Sequence, residues 1–377
     1  MLQVSRLAAS IKPSATLAAA ARAKQLQAAG VRIRDFSLGE PDFPTPEHVC
    51  EAARQAMKAG KTRYTQASGT PELRAAVAQL YVGTYGLAVT PEQVLISNGA
   101  KHSLHNALAG SINPGDEVII PTPYWVSYSD LVAMTGGIPV LVPTTMESGF
   151  RLTPEALKAA VTPRTKMLLL NAPSNPTGAV YSRSQLEAIA KVVLETGISV
   201  LSDEIYELFH YDSAPRSISA YYPEGTIVAG GFSKTLGVTG WRVGWACGPA
   251  AIVGEMIKLQ QFTFVCAPQP VQWAGLAALT CDVSDRVAEY ARNREFLLNE
   301  LGGTYDIRGS GGAFYLFIKA PWGTATEFVS KAIENELLII PGNVFSQHDS
   351  HFRVSFAADE STLHRGVEIL KRIAARA

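Results

Sequence analysis

Between residues 47 and 265 one pattern repeats. A short, continuous apolar run ends in Gly, Pro, Asn or Asp, and an amphipathic stretch with apolar positions three and four apart follows. The runs lie around 94–98 and at 117–121, 138–143, 166–171, 198–204 and 226–231. Each is short and rich in Val, Ile or Leu, which suits a strand buried on both faces. The stretches between them, such as 101–110 and 184–196, carry a helical spacing. Strands separated by helices are joined by crossovers rather than hairpins, so the expected fold is α/β: a mainly parallel sheet flanked by helices. In such a sheet, ligands bind beyond the carboxyl ends of the strands.

After residue 281 the pattern changes. A long helical stretch at 283–301 leads to apolar runs at 313–318, 338–340 and 352–356, with helical segments at 325–337 and at the C-terminus. That describes a smaller α+β part. The expected division is a large domain over 46–282 and a small domain made of 1–45 with 283–377.

Of the 377 residues, 47% are hydrophobic and 18% charged, which excludes a disordered chain. Lys plus Arg and Asp plus Glu are equal at 33, so nothing marks a nucleic-acid or anionic-membrane surface, and small molecules are the expected partners. Cys50, Cys247, Cys266 and Cys281 form no CxxC pair; neither a metal site nor a disulfide framework is expected. Without an apolar run of membrane-spanning length, a cytoplasmic location is the expectation. Residues 1–34 hold six Lys and Arg and no acid, as in a transit peptide. The absence of a small-residue cleavage site favours an ordinary basic arm. No G-x-G-x-x-G occurs, and Gly60-Lys61-Thr62 lacks the earlier glycine of a phosphate loop, since Gln55 stands there.

The strand ends carry the chemistry. The first delivers 97-SNGAKHS-103, a turn into a helix start whose backbone amides can cradle phosphate. The run at 166–171 leads into 171-NAPSNPTG-178, the next ends in 203-DEIY-206, and the last leads to Ser233-Lys234 with Arg242 beyond. Each has an ordinary reading alone, as a turn, a cap or a strand-end cation. Together they supply an amine, a carboxylate, a phenol, an amide, a guanidinium and a phosphate turn, the set that a pyridine aldehyde phosphate requires.

With SNGAK, PYWVSY, NAPSNPTG, SDEIY and SKTLGVTGWRVGW in this order, the chain resembles the class I pyridoxal-phosphate-dependent aminotransferases of the aspartate aminotransferase family, bacterial branch, fold type I. The resemblance runs from KPSAT at 12–16 to FRVSF at 352–356, and it implies a mainly parallel seven-stranded sheet in an α/β large domain with a smaller α+β domain. It implies pyridoxal 5'-phosphate held covalently by Lys234, with Asp203 on the pyridine nitrogen and Tyr206 and Asn175 on the ring's 3-oxygen. Gly99, Ala100, Lys101, Ser233 and Arg242 would surround the phosphate, and Trp125 would stack on the ring. Tyr64 would reach the phosphate of a neighbouring subunit, making a homodimer with shared sites.

On the substrate side it implies Arg353 as the receptor of the α-carboxylate, and Gly39 lying beside the substrate with Trp125 and Asn175. Lys101 and the Ser14–Thr16 segment, with Thr16 as the candidate, match positions that meet a distal carboxylate. Aspartate with 2-oxoglutarate is therefore the expected pair, in a ping-pong exchange of an amino group. Lys101 supporting only the phosphate turn is the other reading. Aromatic, prephenate, alanine or kynurenine aminotransferases and cysteine-conjugate β-lyases share the scaffold. The 261-QFTFVCAPQP-270 stretch departs from the branch's usual pattern. A non-catalytic binding protein of the same fold is the alternative from another class. Lys234 and Asp203 both speak against it.

Overall fold

The structure, a computed structural model, describes residues 3–11, 21, 25, 26, 28, 30, 32–308 and 310–375. Thr16 and Ser14 lie outside the described residues.

Twelve strands are described: β1 (Arg34–Asp35), β2 (Val94–Ser97), β3 (Glu117–Thr122), β4 (Ile138–Pro143), β5 (Thr165–Asn171), β6 (Ser199–Asp203), β7 (Thr226–Gly231), β8 (Gly244–Cys247), β9 (Tyr315–Lys319), β10 (Leu337–Leu338), β11 (Ile340–Pro341) and β12 (His351–Ser355). The large sheet has the order β2-β8-β7-β6-β5-β3-β4. Only β8 opposes its neighbours, pairing antiparallel with both β2 and β7. The α/β expectation of a mainly parallel seven-stranded sheet holds, and the six apolar runs are six of its strands. β8 was not among those runs. It lies in the Trp- and Gly-containing segment after Arg242, and the connection from β7 holds a single 3-10 turn (Thr239–Trp241) rather than a crossover helix, so it returns antiparallel.

Both faces of the sheet are covered, and alternate residues of one strand serve opposite faces. Met167 and Leu169 of β5 join Leu104, Leu108, Val132 and Met256 from helices Ala100–Ser111, Ser127–Met134 and Ala250–Thr263. Leu168 and Leu170 join Leu186, Ile189 and Val193 of helix Arg183–Thr196. Near β2 and β8, Val94, Ile96 and Trp245 pack on Leu73, Val77 and Tyr81 of helix Pro71–Tyr85. Each fully buried aliphatic side chain stabilises the fold by roughly 1.5–3 kcal/mol, which is why these runs cannot tolerate a charge.

A second core gathers Phe314, Leu316 and Ile318 of the β9 region, Phe352 and Val354 of β12, Phe328 and Leu370 from two helices, and Phe36. Here β11-β12-β9 form a three-stranded antiparallel sheet, while β1 pairs parallel with β10. The run expected at 338–340 is thus two short strands serving different sheets. Phe36 ties the N-terminal segment into this core: its N–H donates to Leu338, and its carbonyl accepts from Ser355.

Candidate active site

The turn after β2 leads straight into helix Ala100–Ser111, with Gly99 at φ +82° as its N-cap. The first amides of a helix have no intrahelical acceptor. Here those of Gly99 and His102 donate to the carbonyls of Ser97 and Gly99, and those of Ala100 and Lys101 have no acceptor among the described residues. Two close approaches explain the glycines around it. A Cβ at Gly99 would lie 2.5 Å from the Arg242 guanidinium, and one at Gly244 would lie 2.6 Å from the Ala100 amide nitrogen. Arg242 itself adopts φ +59° and donates to the carbonyls of Thr239 and Asn98 at 2.7 and 3.2 Å. Its guanidinium therefore caps the open end of the turn. Lys101 stands on the first helical turn with its ammonium 4.6 Å above the Trp125 ring. Its pKa is lowered by desolvation and then by Arg242.

Asp203, the last residue of β6, is buried at 3% exposure. Its Oδ2 accepts from the Tyr128 hydroxyl at 2.7 Å and its Oδ1 from the Ile205 N–H at 3.2 Å. Burial pushes its pKa up to about 6, and the Tyr128 hydrogen bond is the strongest effect opposing that rise. Tyr128 packs edge-on against Trp125, ring centroids 5.4 Å apart. Lys101, Trp125, Tyr128 and Asp203 thus form one continuous wall.

Lys234 stands three residues beyond β7, near enough to Asp203 for the two charges to act on one another. Its amine donates to the Gly39 carbonyl at 2.6 Å. Desolvation lowers its pKa to about 8, with Arg353 and Arg242 pushing the same way and Glu40 and Asp203 opposing. Arg353 of β12 is 1% exposed and donates to Asn175 Oδ1 at 2.9 Å and to the Ser37 carbonyl at 2.6 Å. Its Nε is buried without a partner among the described residues. The guanidinium carbon lies 4.5 Å from the Tyr315 ring and 5.0 Å from that of Phe345. Tyr206 shares a 2.9 Å hydrogen bond with the Tyr315 hydroxyl. Ser233 is buried beside Lys234.

Sequence-expected residues Gly39, Gly99, Ala100, Lys101, Trp125, Asn175, Asp203, Tyr206, Ser233, Lys234, Arg242 and Arg353 therefore converge, whereas Tyr64 does not touch this cluster and is 82% exposed. Two residues of the site were missed. Tyr128 had a signal, since it closes the same PYWVSY motif that carries Trp125. Tyr315 had none beyond its strand, because only the β9–β12 register brings it beside Arg353.

These residues fit a pyridine aldehyde phosphate. Lys101, Arg242, Lys234 and Arg353 crowd together with few acids between them, and Arg242 depresses both lysines, so the site is short of an anion. The unpartnered amides of Ala100 and Lys101 and the Arg242 guanidinium would take its phosphate, and buried Asp203 its ring nitrogen. Among the described residues no group of His, Cys, Asp and Glu could hold a metal ion.

Residues 32–370 match the family described as aminotransferase class I and II. The chain is 39% identical to the aspartate/prephenate aminotransferase of Thermus thermophilus, over the full length of both. It is 40% identical to a probable aspartate/prephenate aminotransferase of Thermus aquaticus, covering 98% of each chain. The solved aspartate aminotransferase of Thermus thermophilus with maleate superposes with a TM-score of 0.96 at 38% identity, covering 99% of this chain and all of that one. The chain belongs to the class I and II aminotransferase family. It is an aminotransferase of the pyridoxal-phosphate-dependent kind, and its fold is that of the aspartate aminotransferases. No described helix is long and apolar enough to cross a membrane.

Proposed function

We propose that this aminotransferase exchanges the amino group between aspartate and 2-oxoglutarate, with pyridoxal 5'-phosphate held covalently on Lys234. The observation that carries the substrate reading is the presence of two separate cationic receptors in one site. Arg353 is buried beside Asn175, and Lys101 stands over Trp125. An α-carboxylate suits the planar guanidinium; a distal carboxylate suits the ammonium. The names of the Thermus relatives, aspartate/prephenate aminotransferases, support aspartate as a substrate.

Bound here, the cofactor supplies an aldehyde that takes up the amino group and a ring that accepts the electron pair left when the substrate's Cα–H bond breaks. The chain's part is to place charge and move protons. Gly99, Ala100, Lys101, Ser233 and Arg242 would hold the phosphate. Asp203, ionised at neutral pH with a pKa of about 6, would keep the pyridine nitrogen protonated. Tyr206 would donate to the ring oxygen together with Asn175, whose Oδ1 is taken by Arg353 and whose Nδ2 is left to donate. The Lys234 amine, with its pKa lowered to about 8, gives up its proton readily enough to serve as the base at Cα. Gly39, whose carbonyl already holds that amine, would border the substrate.

Exposed Tyr64 is read as serving the phosphate of a second copy, in a homodimer with shared sites. Residues 46–282 are read as the cofactor-binding domain and 1–45 with 283–377 as the domain that closes on the substrate; the enzyme is read as cytoplasmic. A panel of amino donors and 2-oxo acids tests the substrate claim. Aspartate and 2-oxoglutarate should exceed alanine and phenylalanine, and their oxo acids, in kcat/KM by about tenfold or more. A preference for neutral or aromatic substrates would overturn the dicarboxylate reading and leave transamination intact.

A further inference from the structure

Two cations of the site are held by carbonyls two residues apart in the N-terminal segment. Ser37 O accepts from Arg353 Nη2, and Gly39 O accepts from the Lys234 amine, both at 2.6 Å. Ser37 is itself pinned. Asp35 Oδ1 accepts from the Ser37 N–H at 2.8 Å and from its hydroxyl at 2.6 Å. A residue whose N–H and side chain are both tied to one carboxylate oxygen has little freedom to swing its carbonyl.

The neighbour between them is fixed on every side. Phe36 is bonded to Leu338 and Ser355 through its backbone. Its ring fills the space at Gly366, where a Cβ would lie 2.2 Å away. Arg353 meets a softer set of restraints. The ring faces of Tyr315 and Phe345 keep its guanidinium in a plane, but they leave rotation within that plane open. The hydrogen bonds to Asn175 Oδ1 and Ser37 O set that rotation.

We propose that Asp35 is a positioning residue for carboxylate recognition: it locks Ser37, and the Ser37 carbonyl sets the angle at which Arg353 presents its remaining N–H groups. This rests on the reading of Arg353 as the receptor of the substrate carboxylate. Asp35 touches neither substrate nor cofactor, and it acts through Ser37. Its charge assists as well, since it favours the charged guanidinium that burial disfavours.

The test uses the holoenzyme and the unreactive dicarboxylate succinate, with Asp35→Ala, Asp35→Asn, Ser37→Ala and Arg353→Lys. Asparagine keeps the accepting oxygen that anchors Ser37, and alanine removes it. Asp35→Ala should weaken succinate about tenfold, the worth of one charge-assisted hydrogen bond. It should raise KM for aspartate and 2-oxoglutarate by a similar factor and change kcat by no more than about twofold. Asp35→Asn should restore most of the affinity, and Ser37→Ala, which loses one of the two bonds, should fall between. Cofactor affinity, followed by absorbance, should stay as in the wild type throughout.

Wild-type succinate affinity in Asp35→Ala overturns the proposal. So does asparagine as damaging as alanine, or a parallel loss of cofactor. Should Asp35→Ala fail to fold, Asp35→Asn and Ser37→Ala decide, and equal unaltered affinity in both overturns it. Arg353→Lys separates the two claims. If it binds succinate normally, the receptor reading fails and takes the proposal with it; if it alone loses affinity, only the role of Asp35 falls.

Discussion

Tyr128→Phe removes one oxygen atom and leaves the ring edge-on to Trp125. The lost hydroxyl is the 2.7 Å donor to Asp203 Oδ2. A hydrogen bond to a charged group is worth about 1.5–3 kcal/mol, or roughly tenfold to a hundredfold in the ionisation equilibrium of Asp203. With a pKa of about 6, Asp203 is ionised at pH 7 by about ten to one. In the variant that ratio falls to between about one to one and one to ten. If the ionised carboxylate holds the cofactor's ring nitrogen, affinity for pyridoxal phosphate at pH 7 should fall by about twofold to tenfold and recover by pH 9. The assay is a titration of cofactor-free protein with pyridoxal phosphate at pH values from 5.5 to 9, with thermal unfolding as a control. Wild type should lose affinity below about pH 6, and the variant should begin to lose it at a higher pH. A variant weakened equally at every pH would mean that Tyr128 only packs. Unaltered affinity would remove it from the site.

Three further outcomes follow from the same structure. Glu204 is buried and Glu207 half-buried, with pKa values raised to about 8 and about 7, in both cases first by desolvation. A raised carboxyl pKa means a contribution to stability that is present below the ordinary 4.5 and lost as pH rises through the folded value. Glu204→Gln should therefore gain on wild type by a few kcal/mol, in order of magnitude, between pH 5 and pH 8 in urea denaturation, and a pH-independent difference would contradict this. Lys101→Ala should weaken aspartate and 2-oxoglutarate about tenfold or more relative to alanine and phenylalanine, whereas an equal loss for all would assign it to the cofactor alone. Tyr64→Phe should lower cofactor affinity, and a mixed dimer with Lys234→Ala, whose lesions then share one site, should keep one intact site; wild-type cofactor affinity in the Tyr64→Phe protein would refute the shared site.

The large sheet was legible because burial on both faces forces continuous apolar runs, and a crossover helix separates each from the next. The chemistry was legible because five of the strands end within motifs that carry it: Asn98-Gly99, Trp125, Asn175, Asp203 and Lys234. What stayed hidden depends on contacts between distant segments. Tyr315 reaches Arg353 only through the pairing of Ser355 with Tyr315 and of Arg353 with Phe317. The anchoring of Arg353 by Ser37 spans more than 300 residues of chain. β8 was hidden for a different reason: Gly244, which admits the Ala100 amide and the Gly230 carbonyl, breaks its apolar run.

Every role proposed for the site depends on Lys234 as the residue that carries the cofactor. Holoenzyme treated with borohydride should hold one reduced cofactor per chain, and proteolysis with mass spectrometry should find it on the peptide containing Lys234. Attachment to Lys101 or any other lysine, or no attachment at all in an enzyme that still transaminates, would contradict it.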